Sequence, residues 1–129
     1  MPPTYHYDHI HLVSRDPKAT AKYYEKMFGA KVIETVQPDG SPRIDLDLNG
    51  LAIFILRVAP GEDLPTSPRD RYLGLDHFGL RVNNLDEAVA ELKRKGAEFA
   101  VEPRMARPGL KIAYVRAPEN VRIELLERA

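Results

Sequence analysis

The chain has 129 residues, enough for one compact domain with its own core, and 43% of them are hydrophobic. Its 19 basic and 19 acidic side chains cancel, so no global field draws the protein to nucleic acid or to an anionic membrane. No apolar run approaches a membrane span, and the first residues do not begin a signal peptide. Cysteine is absent, which excludes disulfides and thiolate sites. We therefore expect a cytoplasmic protein whose metal ligands, if any, are His, Asp or Glu.

The chain carries the same pattern twice. Residues 8–13 (DHIHLV) return as residues 76–82 (DHFGLRV), about half a chain later, and each copy is followed by a helix signal and then Gly-Ala. Two repeats are too few for a solenoid, so they should pair into one domain. The repeat predicts a single domain over residues 1–129, with module one at 5–57, a linker at 58–74 and module two at 75–128.

Module one is predicted to open with a strand at residues 5–13. A helix should follow, with Asp16 as its N-cap, Pro17 at its first position and Gly29 at its end. The helix precedes three segments with strand patterns, the last two joined by the hairpin signal Asn49-Gly50. These strands are predicted at 31–36, 42–48 and 51–57.

Module two repeats this order. Its opening strand, predicted at 75–82, leads to a helix that starts after Asn84, with Glu87 three residues on, and stops at Gly96. Three further strands are predicted at 98–101, 110–116 and 120–127. We therefore expect an α+β fold, in which two tandem β-α-β-β-β modules pair into an eight-stranded, cavity-enclosing mixed sheet.

The chemistry is predicted to lie on the strand faces that point away from the helices. His9 and His77 hold the same position in the two copies, and strand alternation turns both toward that face. Glu124 has the same orientation, because Ile123 and Leu125 face the helix. A lone strand histidine is more often a rim or core residue than a ligand. Two matched histidines and a carboxylate instead form the ligand set of a facial triad, which predicts a divalent metal at His9, His77 and Glu124.

Residues 8–13, 76–82 and 117–125 (APENVRIEL) resemble the vicinal oxygen chelate superfamily of glyoxalases, bleomycin-resistance proteins and extradiol dioxygenases. The resemblance spans nearly the whole chain. It implies the paired β-α-β-β-β fold, a divalent metal, a small-molecule substrate chelated through neighbouring oxygen atoms, and a homodimer.

One departure from this family pattern concerns the closing strand of module one. Glyoxalase I and methylmalonyl-CoA epimerase usually carry a fourth ligand there, Glu or Gln, whereas this chain aligns Phe54 with Glu124. An aromatic ring neither coordinates the ion nor accepts a proton, which disfavours proton transfer beside a carbonyl. Asp45 or Asp47, on the neighbouring strand, would have to supply the carboxylate.

The three-ligand set also resembles that of extradiol dioxygenases. Tyr114 precedes Glu124 by ten residues, as in the dioxygenase pattern. Two features differ from that pattern: Asn120 stands where the pattern has Gly, and the His that the pattern places shortly before the Tyr is missing. Tyr114 is then predicted to contact the substrate, and His11, on the same strand face as His9, to act as the proton shuttle. A rim position would fit His11 equally well.

Two arginines complete the candidate site. Arg43 and Arg122 lie on the cavity side of their strands and would bind a substrate carboxylate or phosphonate, or else form internal ion pairs. The leading interpretation is a dioxygenase-like enzyme that uses Fe or Mn, with Zn, Ni and Co as alternatives. A glyoxalase- or epimerase-type lyase or isomerase is the runner-up. The third alternative, a metal-free drug-sequestering protein, is disfavoured by the complete ligand set.

Overall fold

The computed structural model describes residues 2–129 and divides the chain into two compact units, which meet in sequence between Leu64 and Pro65. Each unit contains one α-helix and one four-stranded mixed sheet, so the α+β class and the two tandem β-α-β-β-β modules are confirmed. None of the helices within residues 2–129 is long and apolar enough to cross a membrane. The elements in chain order are β1 (His9–Ser14), α1 (Pro17–Phe28), β2 (Lys31–Val36), β3 (Pro42–Leu48), β4 (Leu51–Arg57), β5 (Phe78–Arg81), α2 (Leu85–Arg94), β6 (Glu98–Arg107), β7 (Leu110–Arg116), a 3-10 turn (Pro118–Asn120) and β8 (Arg122–Arg128).

Module one has the strand order β1-β4-β3-β2, with β1 and β4 parallel and the other pairs antiparallel. Helix α1 packs on one face of this sheet. Tyr24 of the helix and Leu46 and Ile53 of the strands are fully buried in this layer. Burying one such aliphatic side chain stabilises a fold by about 1.5–3 kcal/mol, so this layer is the core of the module.

Module two repeats the arrangement as β5-β8-β7-β6, with β5 and β8 parallel. Helix α2 packs on β6, β7 and β8. Its apolar stripe of Leu85, Val89 and Leu92 is buried, as are Ile123 and Leu125 of β8. The second core therefore has the same layout as the first.

Both helices begin and end where the sequence predicts. The Asp16 carboxylate accepts a hydrogen bond from the Ala19 N–H at 3.2 Å, and the Asn84 side chain accepts one from the Glu87 N–H at 3.0 Å. Each helix stops at a glycine with positive φ, 72° at Gly29 and 87° at Gly96. That backbone conformation costs glycine little, because it has no Cβ to clash with the carbonyl.

The opening strands of both modules and the closing strand of module two are shorter than predicted. The first strand begins at His9 instead of residue 5, and the second module's opening strand begins at Phe78 instead of residue 75. Strand β8 begins at Arg122, because Glu119 and Asn120 take positive φ values of 60° and 65° that break the extended backbone.

Strand β6 is longer than predicted and continues to Arg107 across Pro103. Proline cannot donate to a sheet ladder, which is why the pattern predicts an earlier end. β6 lies at the end of its sheet, and its pairing with β7 shifts register between Val101 and Arg104. An edge strand with an irregular ladder tolerates proline, so the strand continues.

Candidate metal and substrate site

The predicted strand faces are confirmed within each module. Along β1, Ile10 and Leu12 are partly buried toward the helix side, while His9 and His11 are exposed on the opposite face. Along β8, Ile123 and Leu125 are buried, and Glu124 between them is only partly covered. The candidate residues of both modules therefore lie on the sheet faces that the helices leave free.

In module two, the imidazole of His77 is held by the residue before it. Its Nδ1 donates to Oδ2 of Asp76 at 2.7 Å. A histidine bound in this way through Nδ1–H keeps the lone pair on Nε2 for a metal or a proton. Asp76 thus orients His77, a role that sequence reasoning missed, although the Asp-His pair in both copies was the available signal.

The free nitrogen of His77 faces a carboxylate. His77 Nε2 lies 3.3 Å from Oε1 of Glu124, whose other oxygen accepts a hydrogen bond from the Tyr114 hydroxyl at 3.2 Å. The Tyr114 hydroxyl is 3.5 Å from His77 Nε2. Burial, followed by the Glu124 charge, raises the pKa of Tyr114. The phenol therefore stays protonated at neutral pH and acts as a donor.

Arg122 has an internal partner. Its Nη1 lies 3.1 and 3.0 Å from the two oxygens of Asp76, and its guanidinium stacks 4.7 Å from the Tyr114 ring centroid. The hydrogen bond from His77, with a further contribution from the Arg122 charge, lowers the pKa of Asp76. Of the two interpretations of Arg122 from the sequence, the structure supports the internal ion pair.

Module one holds His9 in the same way. Its Nδ1 donates to Oδ2 of Asp8 at 2.6 Å. The strand registers match as well, since Ile10 pairs with Ile53 and Phe78 with Ile123. The structure therefore places Phe54 of β4 at the position that Glu124 holds in β8, as the alignment of the two halves predicts.

Phe54 is the centre of an aromatic cluster. The His9 ring stacks on it with a centroid separation of 4.2 Å, and the His11 ring meets it edge-on at 6.0 Å. Arg43 lies over the same ring, with Cζ 5.0 Å from the centroid. Module one, which has Phe54 where module two has Glu124, thus presents an aromatic surface beside His9 and His11.

The two aspartates of β3 have different surroundings. Asp45, opposite Phe54 in the strand register, accepts a hydrogen bond from Arg43 Nε at 2.8 Å, and its buried Oδ1 has no partner among residues 2–129. Asp47 accepts a hydrogen bond from the Gly50 N–H at 2.8 Å and closes the β3–β4 turn. Asp45 is therefore the aspartate that lies beside the aromatic cluster, and Asp47 has a structural partner.

The donor set of module two fits part of a metal site. Two ligand atoms about 2.0–2.2 Å from one ion lie roughly 3–3.5 Å apart, which is the range of the 3.3 Å between His77 Nε2 and Glu124 Oε1. Neither module by itself gathers three or more His, Asp or Glu side chains of the described residues into a group that could hold a metal ion. Two of the three predicted ligands, His77 and Glu124, thus converge in module two, and His9 lies in module one.

Comparison with known proteins identifies the family. The sequence model of the Glyoxalase/Bleomycin resistance protein/Dioxygenase superfamily matches residues 8–114. The chain belongs to this superfamily. The matched residues include β1 with His9, His77 with the strand β5 that follows it, and both helices, and they end at Tyr114.

Solved structures of this superfamily share the fold. A glyoxylase/bleomycin resistance protein/dioxygenase domain from Frankia sp. EAN1pec has a TM-score of 0.77 at 21% identity, covering 98% of this chain and 100% of that one. A glyoxalase family protein from Enterococcus faecalis has a TM-score of 0.71 at 26% identity, covering 92% and 94%. The fosfomycin resistance protein FosX from Listeria monocytogenes has a TM-score of 0.74 at 21% identity, covering 98% and 96%.

Among curated proteins, a probable chloroplastic lactoylglutathione lyase from Arabidopsis thaliana is 36% identical over 56 residues. The match covers 43% of this chain and 16% of that longer protein. This similarity is therefore local, and the whole-chain relationship lies at the level of the superfamily.

Proposed function

We propose that the protein is a divalent-metal-dependent enzyme whose small substrate carries two neighbouring oxygen atoms. The observation that carries this proposal is the 3.3 Å approach of His77 Nε2 to Glu124 Oε1, with Nδ1 of the same ring bound to Asp76. His9, oriented by Asp8 in the same way, is the proposed third ligand. When bound, the metal would act as a Lewis acid toward a substrate oxygen.

Three side chains of module two then have distinct roles. Asp76 holds the His77 ring so that Nε2 carries its lone pair, and Arg122 holds Asp76. The Tyr114 hydroxyl donates its one hydrogen bond to Glu124, and we propose that this hydroxyl turns to a substrate oxygen when substrate binds.

The leading candidate reaction is proton transfer at a carbon beside a carbonyl group, as a lyase or isomerase catalyses it. Such a reaction needs a base near the substrate carbon. His11 is the proposed base. Asp45, which lies on the other side of Phe54 from His11 in the strand register, is proposed to supply the carboxylate that the Phe54 position lacks. The local similarity to a probable lactoylglutathione lyase supports this order, which reverses the interpretation from the sequence motifs alone.

An extradiol-type dioxygenase is the second candidate. The contact between Tyr114 and Glu124 favours it, since the dioxygenase pattern places a tyrosine at this spacing. The Phe54 surface favours it too, because an aromatic substrate such as a catechol would pack on that ring. In this reaction Fe or Mn would be the metal, whereas Zn, Ni or Co would suit the lyase.

One parallel assay separates the two candidates. The metal-free protein is reconstituted anaerobically with Fe(II), Mn(II), Zn(II) or Ni(II). Each form is tested with the methylglyoxal–glutathione hemithioacetal and, in an oxygen electrode, with a panel of catechols. Isomerisation without oxygen uptake supports the lyase, and oxygen uptake with catechol supports the dioxygenase. Activity in either assay that survives His77→Ala would contradict the proposed metal site.

We also propose that the protein forms a homodimer. Within its own sheet, each of β1, β2, β5 and β6 has a hydrogen-bonded neighbour on one side only. Unpaired strand edges favour association with further strands, and superfamily members often form dimers. Sedimentation equilibrium across micromolar concentrations tests this, and a constant monomer mass would contradict it.

A further inference from the structure

Module one contains a cleft that the proposed reaction uses only through His11 and Asp45, so that its arginines have no assigned role. It has a volume of about 370 Å³ and lies along β3 and β4, between the loop that precedes β3 and the segment that follows β4. Its walls include His11 and Phe54 of the aromatic cluster, together with Arg43, Asp45 and Arg57. We call it the β3–β4 cleft.

Arg43 has two contacts in this cleft. Its Nε donates to Asp45 Oδ2 at 2.8 Å, and its guanidinium carbon lies 5.0 Å from the centroid of the Phe54 ring. The two terminal nitrogens, Nη1 and Nη2, have no hydrogen-bond partner among residues 2–129. The Arg43 side chain is 47% exposed, compared with 16% for Asp45, so the free end of the fork is accessible.

Several other polar side chains of the cleft already have hydrogen-bond partners. The Asp39 carboxylate accepts hydrogen bonds from the Ser41 backbone N–H at 2.9 Å and from its hydroxyl. Gln37 donates to the Ser41 hydroxyl and to the Pro42 carbonyl, and Arg57 donates to the carbonyl of Arg15. The unpartnered Oδ1 of Asp45 is buried away from water. The accessible hydrogen-bonding groups of Arg43 are therefore the N–H donors on Nη1 and Nη2, which carry the positive charge of the guanidinium.

We propose that the β3–β4 cleft is an anion subsite in which Nη1 and Nη2 of Arg43 bind a carboxylate of the substrate. A planar guanidinium end matches a carboxylate by two parallel hydrogen bonds, which a lysine ammonium does not reproduce. Asp45 and Phe54 orient the Arg43 guanidinium before the ligand binds, so the Arg43 side chain loses less conformational entropy on binding.

The position of Phe54 links this subsite to His9, the proposed third metal ligand, and in this respect the inference rests on the proposed function. The His9 ring stacks on Phe54 at 4.2 Å, while Arg43 contacts the same ring. A substrate chelated near His9 would extend along the Phe54 surface to Arg43. The substrate class is thus a small carboxylic acid that also carries two neighbouring oxygens.

The test uses benzoate as the probe and benzamide as its neutral isostere, with metal-free protein in EDTA. Binding is followed by nuclear magnetic resonance titration of the arginine Nε–H and histidine ring signals. We expect benzoate to shift the Arg43 and His11 signals, and benzamide to bind at least about tenfold more weakly. Equal affinity for the two probes would overturn the anion subsite.

Variants locate the contact. Arg43→Gln should weaken benzoate binding about tenfold or more, and Arg43→Lys should also weaken it, because Lys keeps the charge next to Asp45 but loses the fork. Arg57→Gln, in the same cleft, is the matched control and should change the affinity less than twofold. An Arg43→Lys protein that binds like the wild type, or an equal loss in Arg57→Gln, would overturn the assignment to Arg43.

The two proposals fail separately. Arg43→Gln should bind Zn(II) with wild-type affinity in calorimetry, while His77→Ala should lose Zn(II) and still bind benzoate. If benzoate binds at Arg43 and the protein binds no metal, the proposed function is contradicted and the anion subsite is supported. Metal binding without benzoate binding would do the reverse.

Discussion

His77 Nε2 lies 3.3 Å from Glu124 Oε1, and Nδ1 of the same ring donates to Asp76 at 2.7 Å. The imidazole is thus held on one side and presents its second nitrogen to a carboxylate on the other. Because His77 precedes β5 and Glu124 lies in β8, the parallel β5–β8 pair brings these groups together.

Removal of either ligand should abolish metal binding without unfolding the protein. His77→Ala and Glu124→Ala are expected to lose stoichiometric Zn(II) in calorimetry, because each takes away one donor of a small set. The matched control is His6→Ala, an exposed histidine outside the strands, which should bind like the wild type. Unchanged Zn(II) affinity in His77→Ala would refute the site.

Loss of the Asp76 carboxylate should weaken metal binding without abolishing it. Asp76→Asn is expected to weaken Zn(II) binding by about 10–100-fold, the usual effect of losing the group that orients a ligand histidine. Asp86→Asn is the control, since Asp86 is an exposed aspartate of the same module that pairs with Lys111. Equal affinities in the two variants would show that Asp76 does not orient His77.

The Tyr114 phenol should ionise late in an alkaline titration. Its pKa is raised above 10.0 by burial and by Glu124, so the folded state favours the neutral phenol. The resulting stabilisation is complete below pH 10.0 and is lost as the pH rises through the raised folded-state pKa. Absorbance at about 295 nm follows this ionisation.

Tyr114→Phe should remove one late-ionising component and flatten the alkaline fall in melting temperature. Tyr24, whose pKa burial also raises, should remain as a second late component. Tyr7→Phe, at an exposed position, is the control and should leave both in place. An unchanged late amplitude in Tyr114→Phe would contradict the contact with Glu124.

The core of module two should depend on Ile123. This side chain is 0% exposed, and Ile123→Ala leaves a cavity that is expected to lower the free energy of unfolding by about 2–5 kcal/mol. Leu73→Ala is the control, because Leu73 is 100% exposed and its truncation should change stability by less than about 0.5 kcal/mol. Urea denaturation measures both, and similar midpoints would show that Ile123 is not a core residue.

The sequence by itself determined the elements and the faces of the strands. Capping residues such as Asp16 and Asn84 set the helix starts, because a side-chain acceptor there satisfies backbone N–H groups that the helix leaves free. Strand alternation then placed His9 and Glu124 on the faces opposite the helices, since successive side chains point to opposite sides of a sheet. The helix starts and the strand faces depend only on residues that are close in the chain, so local sequence patterns were sufficient to predict them.

Only the tertiary structure decided which groups meet. Arg122 binds Asp76, and Asp47 closes a turn while Asp45 holds Arg43. The sequence placed these charged side chains on a shared face but left their partners open. Partner choice depends on strand register and on distances of a few ångströms between residues that are far apart in the chain, and no local pattern encodes those distances.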